Sequence, residues 1–245
     1  MGEFFTVSNL IALLTLTSLE IVLGIDNIVF IAIVAGRLPA EQRRVARLLG
    51  LSVAIVTRLL LLFSLAYLAS LTSVLFYCQG EDFTGRDIVL ILGGVFLIYK
   101  ATKEIHEKTM GEESELHEAN PRRVPSLKAI VFQIVLIDII FSLDSVITAV
   151  GMTNNLPVMA MAIILAVIAM LIFSGGIVNF IEKNPTVKML ALAFLLMIGF
   201  ILVVDGFGHT VDKGYIYFAM GFSLFVEMLN IRAAKRRAEE KLLNQ

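Results

Sequence analysis

Seven apolar runs, each long enough to cross a bilayer, leave this chain few ways to fold. They lie at about residues 8–35, 43–72, 87–105, 126–150, 157–181, 186–204 and 214–231. A stretch of roughly 20 apolar residues spans the hydrocarbon core as a helix. The predicted fold class is therefore all-α, a polytopic membrane protein of seven transmembrane helices. The separators agree: Gly36-Arg37-Leu38-Pro39, Gln79-Gly80-Glu81-Asp82, Asn154-Asn155-Leu156-Pro157 and Lys183-Asn184-Pro185 are turn sequences. Only 17% of residues are charged and 58% are hydrophobic, against about a quarter charged in soluble domains. No basic stretch precedes the first run and no clear cleavage site follows it, so it is expected to stay as a helix.

The charges are sorted by loop. The turn after the first run carries Arg37, Arg43, Arg44 and Arg47, and the linker after the third carries Lys100, Lys103, Lys108, Arg122, Arg123 and Lys128. With Lys183, Lys188 and the tail, that side holds 17 of the 20 basic residues, while the other holds Arg86 and Lys213. Cytoplasmic loops are the positive ones, so the N-terminus is expected outside and the C-terminus in the cytoplasm of a cell inner (plasma) membrane. A net charge of -1 gives no ground for a nucleic-acid partner. Cys78, the single cysteine, cannot form an internal disulfide.

An internal repeat organises the chain. Glu20-Ile-Val-Leu-Gly24-Ile-Asp26-Asn27, shifted by 118 positions, meets Asp138-Ile-Ile-Phe-Ser142-Leu-Asp144-Ser145, and the register runs on to Leu38-Pro39 and Leu156-Pro157. Gly94 to Lys100 matches Gly199 to Asp205 in the same way. Two units of three spans with an odd number of crossings each form an inverted repeat, common in secondary transporters. The expected organisation is a first three-helix repeat over 1–105, a cytoplasmic linker over 106–125, an inverted second repeat over 126–208, a seventh helix over 209–232 and a cytoplasmic tail over 233–245.

The repeat is centred on acids. A carboxylate at bilayer depth costs at least about 2.5 kcal/mol on insertion scales. Glu20 and Asp26 lie in the first span, Asp138 and Asp144 in the fourth and Glu227 in the seventh, with Arg58 the one deep base. One arginine cannot neutralise five acids, so the others must hold protons or meet a cation. On a straight helix Glu20, Gly24 and Asn27 share a face, as do Asp138, Ser142 and Ser145, with Asp26 and Asp144 turned about 120° away. A helix break near Gly24 and Ser142 would bring all four acids to one cavity. The donors are oxygens only: the carboxylates, Asn27, Ser142, Ser145 and Thr148. Oxygen suits magnesium, calcium and manganese, and does not choose among them. The expected metal-site residues are Glu20, Asp26, Asn27, Asp138, Asp144 and Ser145, with Ser142 beside them. Arg58 is either a counter-ion to an acid when the metal is away or a side chain snorkelling outward. Glu227 is either a further site acid or a snorkelling residue near Arg232. Lys100 and Asp205, near span ends, read as interfacial. Glu104, His106, Glu107 and the acids of the linker read as a solvated, charge-mixed loop. No nucleotide-binding or hydrolase motif is present, so no enzyme and no permanent cofactor are expected.

Ser18-Leu-Glu20-Ile-Val-Leu-Gly-Ile-Asp26-Asn27 and Phe141-Ser-Leu-Asp144-Ser145-Val resemble motifs of the TerC family of integral membrane proteins. Tyr99-Lys100-Ala-Thr-Lys-Glu104-Ile-His106-Glu and the stretch from Gly214 to Asn230 add to it, and the likeness covers nearly all of the chain. The resemblance implies a seven-span protein related to the lysine exporter superfamily, with members implicated in manganese efflux. It carries the acidic motif onto Glu20, Asp26, Asn27, Asp138, Asp144 and Ser145. Although the family is named for tellurium resistance, buried acids would repel an oxyanion. The expected function is export of a divalent cation, manganese first, with proton exchange as the driving reaction. The rival reading is a membrane scaffold that docks partners through the 106–125 linker and the basic tail.

Overall fold

The computed structural model describes residues 6–64, 73–78, 81–110, 125–152, 155–209 and 211–243, and the side chains of residues 78, 81, 144, 147, 148, 150–152, 213, 238, 239 and 241–243 lie outside that description. Seven helices and one hairpin make up the described residues. They are α1 (Val7–Ala35), α2 (Ala40–Phe63), β1 (Val74–Cys78), β2 (Glu81–Thr84), α3 (Gly85–Thr109), α4 (Leu127–Met152), α5 (Leu156–Lys183), α6 (Pro185–Gly206) and α7 (Lys213–Leu243). Five are long and apolar enough to cross a membrane: α1, α2, α5, α6 and the Gly214–Arg237 part of α7.

The helix ends follow local chemistry. The Thr6 hydroxyl accepts from the Asn9 amide at the start of α1. Thr84 and Asp87 cap the start of α3 reciprocally, satisfying two amides that a first turn leaves without partners. Pro157 and Pro185 sit in the first turns of α5 and α6, where a missing N–H costs nothing. Gly208, at φ 82°, turns the chain out of α6.

Three expectations change. The second span ends at Phe63 and not at 72; residues 65–72 lie outside the described set, and β1 pairs antiparallel with β2 beyond them. This hairpin packs through Phe76 stacked on Phe83 at 5.2 Å, with Phe83 edge-on to Phe207 at 6.0 Å. The seventh helix does not end at 232: of the two readings of the tail, a charged helical continuation or disorder, it takes the first and continues α7 to Leu243. Finally, α1 runs unbroken through Gly24 and α4 through Ser142, which removes the expected helix break. Gly24 serves contact instead: a Cβ there would stand 2.2 Å from Met170 Sδ of α5.

The pairings are α3 with α6, α1 with α5 and α2 with α4, with α1 also against α4 and α2 against α5. The α3–α6 crossing is the tightest. A Cβ on Gly94 would lie 2.5 Å from the Gly199 carbonyl oxygen, and one on Gly199 would lie 2.9 Å from that of Gly94. The two helices run antiparallel, since Lys108 at the end of α3 donates to the Pro185 carbonyl while Gly206 at the end of α6 meets Ile91. The largest of three apolar clusters gathers Phe30, Ile33 and Val34 from α1 with Leu90, Leu97, Ile134, Ile137 and Leu195. By contrast α7 touches the rest chiefly through α6 and leaves Phe218, Phe222 and Phe225 exposed.

Candidate functional site

Arg58 of α2 lies inside the bundle, 3% exposed, between the two acids that the repeat relates. Its Nη1 donates to Glu20 Oε2 at 2.5 Å and its Nη2 to Asp138 Oδ1 at 2.7 Å, with Nε at 3.2 Å from the same oxygen. A guanidinium presents its donors in a fixed fork, and this one bridges α1 and α4 through carboxylates 3% and 4% exposed. Arg58 is thus the counter-ion of the two readings left open for it. One positive charge faces two negative ones, so the cluster keeps an excess of one acid.

Neutral donors finish the cage around Asp138. Ser142 Oγ donates to Oδ2 at 3.3 Å from one turn further along α4, and Asn27 Nδ2 donates to Oδ1 at 3.1 Å from α1. Ionised carboxylates only accept, which fixes the orientation of the Asn27 amide: its Nδ2 faces Asp138 and its Oδ1 points away. Among the described residues that Oδ1 is buried without a hydrogen-bond partner. A buried unsatisfied carbonyl costs about 1–3 kcal/mol.

Asp26 is placed differently from Glu20 and Asp138. It is 7% exposed, and among the described residues its carboxylate has no hydrogen bond and no ion pair. It lines a cavity of about 60 Å³ together with Asn27, Arg58, Ser145, Asp205 and Tyr217. That volume is enough for several water molecules. Ser145 donates to the Ser142 carbonyl at 3.4 Å, which leaves its oxygen lone pairs available to the cavity. A larger apolar groove of about 590 Å³ between α1, α5, α6 and α7 has Asp26 and Tyr217 in common with it.

The sequence-predicted residues therefore divide. Glu20, Asn27, Asp138 and Ser142 share the Arg58 cluster, while Asp26, Asn27 and Ser145 share the cavity, with Asn27 in both. Asp144 lies in α4 between Ser142 and Ser145, and its side chain is outside the described set. Glu227 is not brought in: it sits on an exposed part of α7 and accepts from Asn230 at 3.4 Å. Asp205 is not the interfacial residue that its place near a span end suggests, for it is 8% exposed and lines the cavity. Its repeat match to Lys100 is the signal the sequence offers. Glu104 and Glu107 are no loop acids either. Arg37 Nε meets Glu104 Oε1 at 2.5 Å, its Nη2 pairs with Glu107, and Glu104 is buried. The rest of the linker, 111–124, lies outside the described residues. No three His, Cys, Asp or Glu side chains among the described residues converge closely enough to hold a metal alone, so a cation here would draw on amide, hydroxyl and water oxygens as well.

An all-helical chain with at least five bilayer-length apolar helices and an acid-rich interior built around one arginine is an integral membrane protein with a polar centre. More particularly, it belongs to the TerC family of integral membrane proteins, whose family model matches residues 5–242. It is 51% identical over 226 residues to the UPF0053 inner membrane protein YgdQ of Escherichia coli K12, covering 92% of this chain and 94% of that one. A UPF0053 protein of Haemophilus influenzae is 50% identical over 222 residues, 91% of this chain and 93% of its own. The E. coli inner membrane protein YoaE is 50% identical over 218 residues, which are 89% of this chain and 42% of YoaE. No solved structure matches the chain.

Proposed function

We propose that this protein is a secondary carrier of a divalent metal cation, with manganese as the preferred substrate. The observation that carries the reading is a pair of buried residues lining one cavity, Asp26 and Asn27; among the described residues the Asp26 carboxylate and the Asn27 Oδ1 have no hydrogen-bond partner. Groups left so at membrane depth are functional by default, and a hard cation satisfies both at once. The Ser145 hydroxyl and water complete an all-oxygen shell of the kind manganese, magnesium and calcium accept. In this proposal Asp144 joins from α4. Glu20 and Asp138 either become ligands when Arg58 moves or hold the charge that balances the incoming ion. The excess acids also suit proton return in exchange for metal.

The architecture supports a carrier. The pairing α1–α5 becomes α4–α2 when the units α1–α3 and α4–α6 are exchanged, and α3–α6 becomes itself. The equivalent glycines Gly94 and Gly199 touch at that self-paired crossing. This is the pattern an inverted repeat produces about a pseudo-twofold axis, with α7 added as a seventh span, and such repeats underlie alternating access. Relatives named as inner membrane proteins and the placement of Lys and Arg favour an inner-membrane location with the C-terminus in the cytoplasm. Export rests on the family likeness.

The test is equilibrium binding of Mn²⁺ to the purified full chain by titration calorimetry. The expected result is saturable binding that Asp26→Asn weakens at least tenfold. Equal binding by both proteins would remove Asp26 from the site.

A further inference from the structure

Asp205 is the one buried acid of the cavity that the motif in α1 and α4 does not supply. It stands in the last turn of α6, and the cavity follows that helix through Ile198, Ile201, Leu202 and Asp205. Seven residues of helix correspond to about 10 Å, so the lining runs from the level of the Gly94–Gly199 crossing to the hairpin end of the molecule. Asp205 Oδ1 accepts from the Val211 amide at 3.3 Å, and its Oδ2 has no partner among the described residues. Among the described residues no Lys or Arg pairs with it, and Arg58 is engaged by Glu20 and Asp138. The same cavity is lined by Asp26, more than nine-tenths buried and unpartnered among the described residues. Two buried carboxylates lining one cavity without a counter-ion are costly together unless a cation lies between or beside them.

The repeat sharpens this. Asp205 follows Gly199 by six residues, as Lys100 follows Gly94. Lys100 is held 3.8 Å from Glu104, which Arg37 also holds, at the opposite end of the antiparallel α3–α6 pair. One end of the molecule is therefore closed by paired charges, while the related place at the other end presents a carboxylate to the cavity.

We infer that Asp205 is a cation-binding residue of the carrier, receiving a divalent metal ion at the hairpin end and passing it along α6 to Asp26; the inference rests on the carrier reading above. The Lys100 cluster leaves the repeat-related end with its charges paired, so the two ends of the path differ in their affinity for a cation.

The test uses the full chain purified in detergent, titrated with Mn²⁺ alone, as wild type, Asp205→Asn and Asp205→Glu. Asn keeps an oxygen for the Val211 amide and loses only the charge. The expected result is an apparent Kd raised at least tenfold in Asp205→Asn, with the metal-free melting temperature within about 2 °C of wild type. Unchanged affinity would show that Asp205 only caps the α6–α7 turn, and would overturn the inference while wild-type binding leaves the carrier reading standing. Absence of Mn²⁺ binding by the wild type would overturn both. Should Asp205→Asn fail to fold, Asp205→Glu decides. A ligand lengthened by one methylene changes the Mn²⁺ to Ca²⁺ preference more than threefold, whereas a turn cap leaves that ratio unchanged.

Discussion

At the residue scale, the interior turns on how one arginine is shared. Arg58 sits between Glu20 and Asp138 with every nitrogen of its fork near a carboxylate. Buried ion pairs barely repay their desolvation, but removing one partner strands the others. Arg58→Gln is therefore expected to cost about 3–5 kcal/mol, seen as a fall in melting temperature of the purified protein. The neutral triple variant Arg58→Gln, Glu20→Gln, Asp138→Asn should recover most of that stability. A single variant as stable as wild type would mean that the acids carry protons and need no counter-ion. The acids and the arginine are legible in the sequence, since charges in apolar runs stand out against their background. Which acid the arginine meets is not. A helix that is apolar nearly all round has no polar stripe to say which face packs where, so Asp26 and Asp138 look alike until the helices are docked.

At the scale of elements, helix limits are largely written in Pro, Gly and Asn, and the observed helices agree with the apolar runs to within a few residues apart from α2 and α7. The hairpin escapes because two strands of five and four residues leave no sustained alternation. A break in α1 is the wrong use for Gly24: the glycine admits Met170 between helices and does not interrupt one. The same reasoning applies to α3 and α6. Gly94→Ala puts a methyl against the backbone of Gly199, which cannot rotate away, so overpacking of about 1–3 kcal/mol is expected. Gly221→Ala in α7, with nothing within 4 Å of its Cβ, is expected to be neutral or slightly stabilising, since alanine is the better helix former. Thermal melts of the two variants side by side check this, and equal melting temperatures would contradict the close crossing.

In the whole molecule, an all-helical membrane body encloses an off-centre, acid-lined cavity. Asp205 shows why hydropathy places such a cavity poorly. It puts this residue at a span end, hence near water, but the hairpin and the start of α7 cover that end and bury it. If the cavity is a cation site, ligand binding must stabilise the native state. At a free Mn²⁺ concentration of 100 times the wild-type Kd the gain is about 2.7 kcal/mol, against about 1.4 kcal/mol or less for a variant that binds at least tenfold more weakly, so the melting temperature should rise with Mn²⁺ in wild type and by no more than about half as much in Asp26→Asn. A rise of the same size in both would place the ion elsewhere.

Transport itself is tested by Mn²⁺ flux into proteoliposomes that contain the purified full chain, under an imposed pH gradient, for wild type and Asp26→Asn. A proton-coupled carrier with Asp26 in its site gives gradient-driven uptake by wild type and loss of at least nine-tenths of it in the variant. Folded wild-type protein that moves no Mn²⁺, Mg²⁺ or Ca²⁺ in either direction, with the same traces as protein-free vesicles, would contradict a carrier.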